Sequence, residues 1–318
     1  MRRFARVTLP VIVAALLALA PAGPGSAQTL AALKVAMIPI EPAAAVYYAK
    51  ENGFFTKDGL DVDIAQNPST PAIASALLSG TYDIAYGTIP TLATAHSKGL
   101  PFVMIAPGIS SSAIHFGGAI MVGVNSTIKT GKDFNGKTLG TAGLNTIAEY
   151  LPRAWIDKNG GDSTTVKFVE MPFPVTPDAI ASGRIDGAYL AEPFVTIAEQ
   201  KHDAKILTQG DAAIAPGEFL STGWYTTIQW ARAHPDLVAR FQRAMGEAAA
   251  WANANHPLVV PILAKDLHAD PAIVGQARRP YYPERLIASQ VQPFIDITAK
   301  YEKFAPFKAD ELIYVPAR

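Results

Sequence analysis

Short apolar runs alternate with longer segments of helical spacing through most of this chain. Residues 33–40 form the first apolar run, and 43–51 the helical segment after it. Residues 60–65 alternate Leu, Val and Ile with Asp61 and Asp63, the period-two pattern of a half-buried strand. Ser69 or Thr70 caps a further helix whose first turn accepts Pro71. Apolar runs recur at 102–106, 119–124 and 219–227, and a helical region begins at Trp230. There Leu237, Phe241, Met245, Ala248 and Ala252 share one face of a helix opened by Pro235.

Part of this pattern occurs twice. Ser79-Gly80, Asp83 and Ala85-Tyr86 correspond to Ser182-Gly183, Asp186 and Ala188-Tyr189. Each copy reads as a helix stopped at a glycine, where positive φ carries little penalty, followed by a short buried strand. Upstream, Asn52-Gly53 and Asn159-Gly160 punctuate the two copies alike. Two units of strand, helix, strand, helix and strand predict two lobes rather than one sheet. The expected division is 28–118 plus 225–318 for one lobe and 119–224 for the other, with hinge strands at the ends of 119–224. Two crossings of this kind let rigid lobes close on a ligand.

The 318 residues suffice for two such lobes, and 27 basic residues balance 27 acidic ones. That balance gives no basic face for nucleic acid. There is no cysteine, which excludes disulfides, thiolate metal sites and thiol catalysis. Residues 1–27 read as a signal peptide: Arg2, Arg3 and Arg6, an apolar stretch over 11–20, then Gly25-Ser26-Ala27 before a cut at Gln28. Export to the periplasm is the expectation. The six histidines lack metal-ligand spacing, and neither a phosphate-binding loop nor a Gly-x-Ser-x-Gly elbow is present. No cofactor and no enzymatic activity are expected.

In an open parallel sheet, ligands bind beyond the carboxyl ends of the strands. The candidate ligand-binding residues are therefore Glu41, Asn67, Ser69, Thr70, Gly87, Thr88, Thr141, Asn145, Thr146, Glu192 and Phe194, with Trp224 as an aromatic wall. Several precede helix starts, whose free N–H groups suit an anion. The same Ser, Thr and Asn residues are also ordinary helix caps. Glu41 and Glu192 would instead suit a cationic or aminopyrimidine ligand. Tyr86 and Tyr189 end the repeated strands, where one of them can face a cleft. None of the candidate loops contains Lys or Arg.

The stretches VYYAKENGFFTKDGLDVDI, ALLSGTYDIAYGT, GKTLGTAG, AIASGRIDGAYLAEPF and AHPDLVARF together resemble the periplasmic binding proteins of nitrate, sulfonate and taurine ABC transporters. Binders of thiamine-precursor pyrimidines belong to the same superfamily. The resemblance covers residues 33–305. It implies an α/β, two-lobe, type II binding-protein fold with two interlobe crossings and a helical C-terminal region. It further implies a monomer that captures a small-molecule solute and delivers it to an ABC transporter permease and its ATPase. The solute expected first is a sulfonate or related oxyanion, and an aminopyrimidine or aromatic compound is the alternative. A sensory module would share this chemistry. The superfamily's pyrimidine-synthesising enzymes rely on cysteine motifs that this chain lacks.

Overall fold

The computed structural model describes residues 29–316, so the expected signal segment 1–27 lies outside the described residues. Twelve strands carry the architecture. They are β1 Ala31–Met37, β2 Leu60–Gln66, β3 Ile84–Thr88, β4 Phe102–Pro107, β5 Ser110–Ser111 and β6 Ala119–Gly123, then β7 Thr138–Thr141, β8 Lys167–Glu170, β9 Gly187–Leu190, β10 Ala204–Thr208, β11 Phe219–Leu220 and β12 Thr222–Thr227. One sheet has the order β2-β1-β3-β12-β4, and a second has the order β10-β6-β9-β7-β8. β1 runs parallel to β2 and β3, and β7 runs parallel to β8 and β9. The carboxyl ends of these parallel strands face the space between the two lobes.

The repeated motif has a structural cause. Asp83 accepts the Lys34 amide at 2.8 Å, and Asp186 accepts the Thr138 amide at 2.9 Å. Their own amides return bonds of 2.9 Å to the Lys34 and Thr138 carbonyls. Each aspartate thereby closes a two-bond ring onto the neighbouring strand and sets the register of β3 on β1, or of β9 on β7. Gly80 and Gly183 turn the chain into that ring at φ +75° and +69°.

The crossings differ from the expected boundary. β6 is paired on both sides within the second sheet, to β9 and β10. β12 is paired on both sides within the first, to β3 and β4. Residues 119–124 and 222–227 are therefore core strands, and the expected boundary at residue 224 falls inside one of them. The outward crossing is made in the Ser/Gly-rich stretch 112–118, and the return precedes Phe219. β5 and β11, which continue from β4 and lead into β12, form a two-stranded ribbon tied by the Ser111 and Ser221 hydroxyls and packed on the first lobe's helix Ala288–Glu302. Apolarity reveals a strand, but not which sheet supplies its partners.

The C-terminal helices pad the first lobe. Helix Pro235–Ala254 buries Val238, Phe241, Met245, Ala248 and Ala252. Phe241 stacks on Phe55 at 5.7 Å and meets Trp224 at 5.9 Å. Helix Ala288–Glu302 packs against helix Ile89–Ser97 of the same lobe. No described helix is long and apolar enough to cross a membrane.

Candidate functional site

A cavity lies between the lobes, with about 530 Å³ of empty space, part of it open to solvent. The first lobe lines it with Ile38, Ile40 and Pro42 after β1, Thr70, the Tyr86-Gly87-Thr88 end of β3, Ile109, Ser221 and Thr222. The second contributes Ala142, Thr146-Ile147-Ala148, Phe173, Tyr189 and Ala191, and Gly117 comes from the outward crossing. No charged side chain among the described residues lines this cavity. Its surface is almost wholly carbon, with hydroxyls as the polar exceptions.

Of the twelve residues expected from sequence, Thr70, Gly87, Thr88 and Thr146 are in the wall. Gly87 is small for a packing reason, because a Cβ there would lie 2.7 Å from the Tyr225 ring. The remaining eight do not line this cavity, and most have partners that explain their placement. Asn67 accepts the Ser69 amide at 2.9 Å, and Ser69 caps the helix Thr70–Leu78. Thr141 donates to the Gly143 carbonyl at 2.9 Å. The Asn145 side-chain amide lies 2.8 Å from the Tyr150 hydroxyl, and the Asn145 backbone carbonyl accepts from Thr91 of the other lobe at 3.1 Å. Phe194 stacks behind the wall residue Phe173 at 5.7 Å. Trp224 is fully buried inside the first lobe, edge-on to Tyr86 at 5.2 Å.

The two glutamates are held by adjacent arginines far along the chain. Glu41 is 1% exposed and accepts from Arg279 at 2.7 Å. Burial pushes its carboxyl up to about 7, against the lowering influence of Arg279. Glu192 accepts from Thr196 and from the Arg278 amide, with the Arg278 guanidinium at 3.5 Å. Burial also raises Glu192. The Glu41 amide donates to the Glu192 carbonyl at 3.1 Å, joining the lobes directly. Arg279 holds Glu41 within the first lobe, whereas the Glu192–Arg278 pair and the Glu41 amide form an interlobe clasp beside the cavity.

Further bonds hold the lobes closed. Tyr150 donates to Glu302 at 2.6 Å, and Tyr301 donates to Asp157 at 2.7 Å. Arg278 also grips Glu199 at 2.8 Å. At the start of the return segment, Asp211 is 4% exposed and neither carboxylate oxygen finds a partner among the described residues. Burial pushes it up to about 8.

Three helix starts reach the cavity, but they offer few amides. At helix Ile89–Ser97 the Ile89 amide goes to the Ser221 carbonyl, Pro90 has none, and the Thr91 amide goes to the Thr88 hydroxyl. At helix Thr70–Leu78, Pro71 has none and the Ala72 amide goes to Ser69. At helix Ile147–Lys158, the Ala148 and Glu149 amides go to the Thr146 hydroxyl and carbonyl. Capping thus consumes most of what an oxyanion would use.

Two tyrosines border the cavity as well, although the Tyr86 hydroxyl oxygen is itself buried. Tyr86 and Tyr189 occupy equivalent positions in the repeat and line the cavity from opposite lobes. Burial raises both phenols well above their usual range, so they remain protonated. Their equivalence in the repeat is the signal that finds them. Ile38, Ile40, Ile109, Ala142 and Ala191 carry no such signal, since small or aliphatic residues after a strand resemble any core.

This is the fold of periplasmic binding proteins: two α/β lobes, two crossings and a cleft at the strand ends. The ligand-binding component of an ABC-type import system from Staphylococcus aureus, with zinc bound, superposes with a TM-score of 0.77 at 19% identity, covering 90% of this chain and 97% of that one. The alkanesulfonate-binding protein from Xanthomonas axonopodis pv. citri, bound to MOPS, gives 0.75 at 16% identity, covering 89% and 98%. In sequence, residues 42–257 match the NMT1/THI5-like family, and the chain belongs to it. A formylaminopyrimidine-binding protein of Halalkalibacterium halodurans is 27% identical over 211 residues, 65% of this chain. The match spans 61% of that relative's length.

Proposed function

We propose that this protein is the solute-binding component of an ABC importer. On this reading it is exported to the periplasm, closes its lobes on a small organic solute and delivers it to the membrane permease and its ATPase. The reading is supported by family membership and by a cavity enclosed by residues of both lobes. A wall without acid, base or thiol nucleophile favours capture over catalysis.

The solute is uncharged, with a largely apolar or aromatic body, and the aminopyrimidine and aromatic alternative fits better than a sulfonate. One observation carries this choice: no Lys or Arg among the described residues lines the cavity. A buried anion without a counter-charge needs many fixed donors, and the caps have taken most of them. The oxyanion reading keeps one supporting feature, the three helix starts at the wall.

A thermal-shift screen of the mature protein tests this. The panel holds alkanesulfonates, nitrate, aminopyrimidines, aromatic acids and neutral aromatics. A solute present at a hundred times its Kd adds about 2.7 kcal/mol of stability. Neutral ring compounds should give the saturable shifts. Shifts from sulfonates alone would reverse the solute class, and no shift from any member would count against the binding role.

A further inference from the structure

We propose that residues 270–278 of the first lobe are an electrostatic latch, which engages helix Phe194–Lys201 of the second lobe and holds the cleft closed even without a solute. The latch is independent of which solute the cleft takes. Its contacts form a series. Asp270 lies 3.8 Å from Lys201, and Gln276 accepts from Gln200 at 2.6 Å. The Arg278 guanidinium donates to both Glu199 oxygens, at 2.8 and 3.3 Å. At the cavity end the Arg278 amide donates to the Glu192 carboxylate at 3.2 Å, and its guanidinium lies 3.5 Å from the same oxygen. Residue numbers rise along the segment as they fall along the helix, so the two lie side by side in opposite directions. At about 1.5 Å per residue, the line of contact from Glu192 to Lys201 is roughly 14 Å long.

The charges fix that direction. Acidic Asp270 meets basic Lys201, and basic Arg278 meets acidic Glu199. The reverse alignment would set Asp270 against Glu199 and Arg278 against Lys201, two repelling pairs. The segment is also anchored in its own lobe, so it can hold the other. Arg279 grips Glu41 at 2.7 Å, Tyr282 exchanges two backbone bonds with the Asn253 side chain, and the Tyr281 carbonyl accepts the Ser110 amide. Arg278 itself lies over the Phe116 ring of the outward crossing, 5.4 Å from its centre.

The series runs into the cavity wall. Glu41 follows the wall residue Ile40, Glu192 follows the wall residue Ala191, and the Glu41 amide donates to the Glu192 carbonyl at 3.1 Å. Lobes that part at the wall must break this bond and the contacts beyond it. The outer contacts are weak ones. The side chains of Lys201 and Asp270 are half exposed, and those of Arg278 and Glu199 are partly exposed. Exposed pairs contribute little singly and are screened by salt. The outer contacts therefore give a hold that can be released, while the buried Glu192 sets the alignment.

The cysteine-free sequence allows a direct test. Ser75→Cys, exposed in helix Thr70–Leu78 of the first lobe, and Lys167→Cys, exposed at the start of β8 in the second, carry spin labels. Double electron–electron resonance then reports the interlobe distance in the ligand-free mature chain. At low ionic strength the shorter, closed distance should dominate. At about 1 M salt, where the screening length falls to about 3 Å, the longer distance should gain. Glu199→Gln and Lys201→Met should each lower the closed-to-open ratio by up to about fivefold, and Glu199→Lys by more. Gln200→Glu with Gln276→Arg, which turns a neutral bond into an ion pair, should raise it. A ligand-free ensemble that is wholly open at low salt overturns the proposal. A ratio unmoved by Glu199→Lys, or unmoved by salt, does so too. A Glu199→Lys chain that no longer folds also overturns it, because the contact would then belong to the fold and not to a latch. No solute is added, so each of these failures leaves the transport reading standing.

Discussion

Replacing Asp211 with Asn should remove a pH-dependent strain from the return crossing. Folded Asp211 keeps its proton up to about pH 8, whereas the unfolded side chain releases it near 3.8. The stability tied to this group is complete below 3.8 and declines as the pH rises toward 8. At about pH 7 the separation is roughly three pH units, which at about 1.36 kcal/mol per unit is on the order of 4 kcal/mol. No neighbouring cation offsets it, since burial is the sole cause of the shift. The assay is urea unfolding followed by tryptophan fluorescence, for wild type and Asp211→Asn, between about pH 5 and pH 8. The stability difference between variant and wild type should grow in favour of Asn by on the order of 4 kcal/mol across that range. A constant difference, or one that shrinks as the pH rises, would refute the argument that a buried carboxylate without a partner titrates there.

Other outcomes follow from the clasp and from the expected signal segment. Arg279→Met strands a buried Glu41 and should destabilise the fold by about 3–5 kcal/mol, with Glu41→Gln in the same chain recovering most of it; equal loss in single and double variants would argue against the pair. Arg278→Ala removes the partly exposed interlobe contact to Glu199 and Glu192. It should loosen closure by up to about 1 kcal/mol, seen as a larger radius of gyration in small-angle scattering of the ligand-free protein. Periplasmic material should begin at or near Gln28 on N-terminal sequencing, whereas full-length chain recovered from the cytoplasm would speak against export.

Local chemistry in this chain is written where it acts. Gly80 and Gly183 stop helices, Asp83 and Asp186 lock strands, and Ser69, Thr88 and Thr146 cap the helices they precede. The stops and caps are legible because their partners lie within a few residues, and the two aspartates because the repeat shows them twice, although the amides they lock lie 49 and 48 residues upstream. The functional meaning of Glu41 and Glu192 is not local. Their arginine partners lie more than eighty residues away, in a segment 278–282 with no periodicity of its own. Without those arginines in view, two acidic residues at strand ends read as ligand groups. The wall shows the opposite problem, since its aliphatic residues look like core. Only the two tyrosines stand out, and they do so because the repeat sets them side by side.

The position of β12 has a consequence for how the chain acquires its shape. β4 touches the first sheet only through β12, and β3 has β12 on its outer side. Until residues 222–227 are available, β4 has no partner and β3 exposes an unpaired edge. Residues 119–208 supply all five strands of the second sheet without help from either end of the chain. The lobe encoded second can therefore assemble first, and the lobe encoded first must wait for a strand made more than a hundred residues later. Such a delay keeps apolar strand edges open during synthesis. The order of strands in space thus sets an order of events in time. The last strand to arrive, flanked by Ser221 at the cavity wall, is also the one that completes the site.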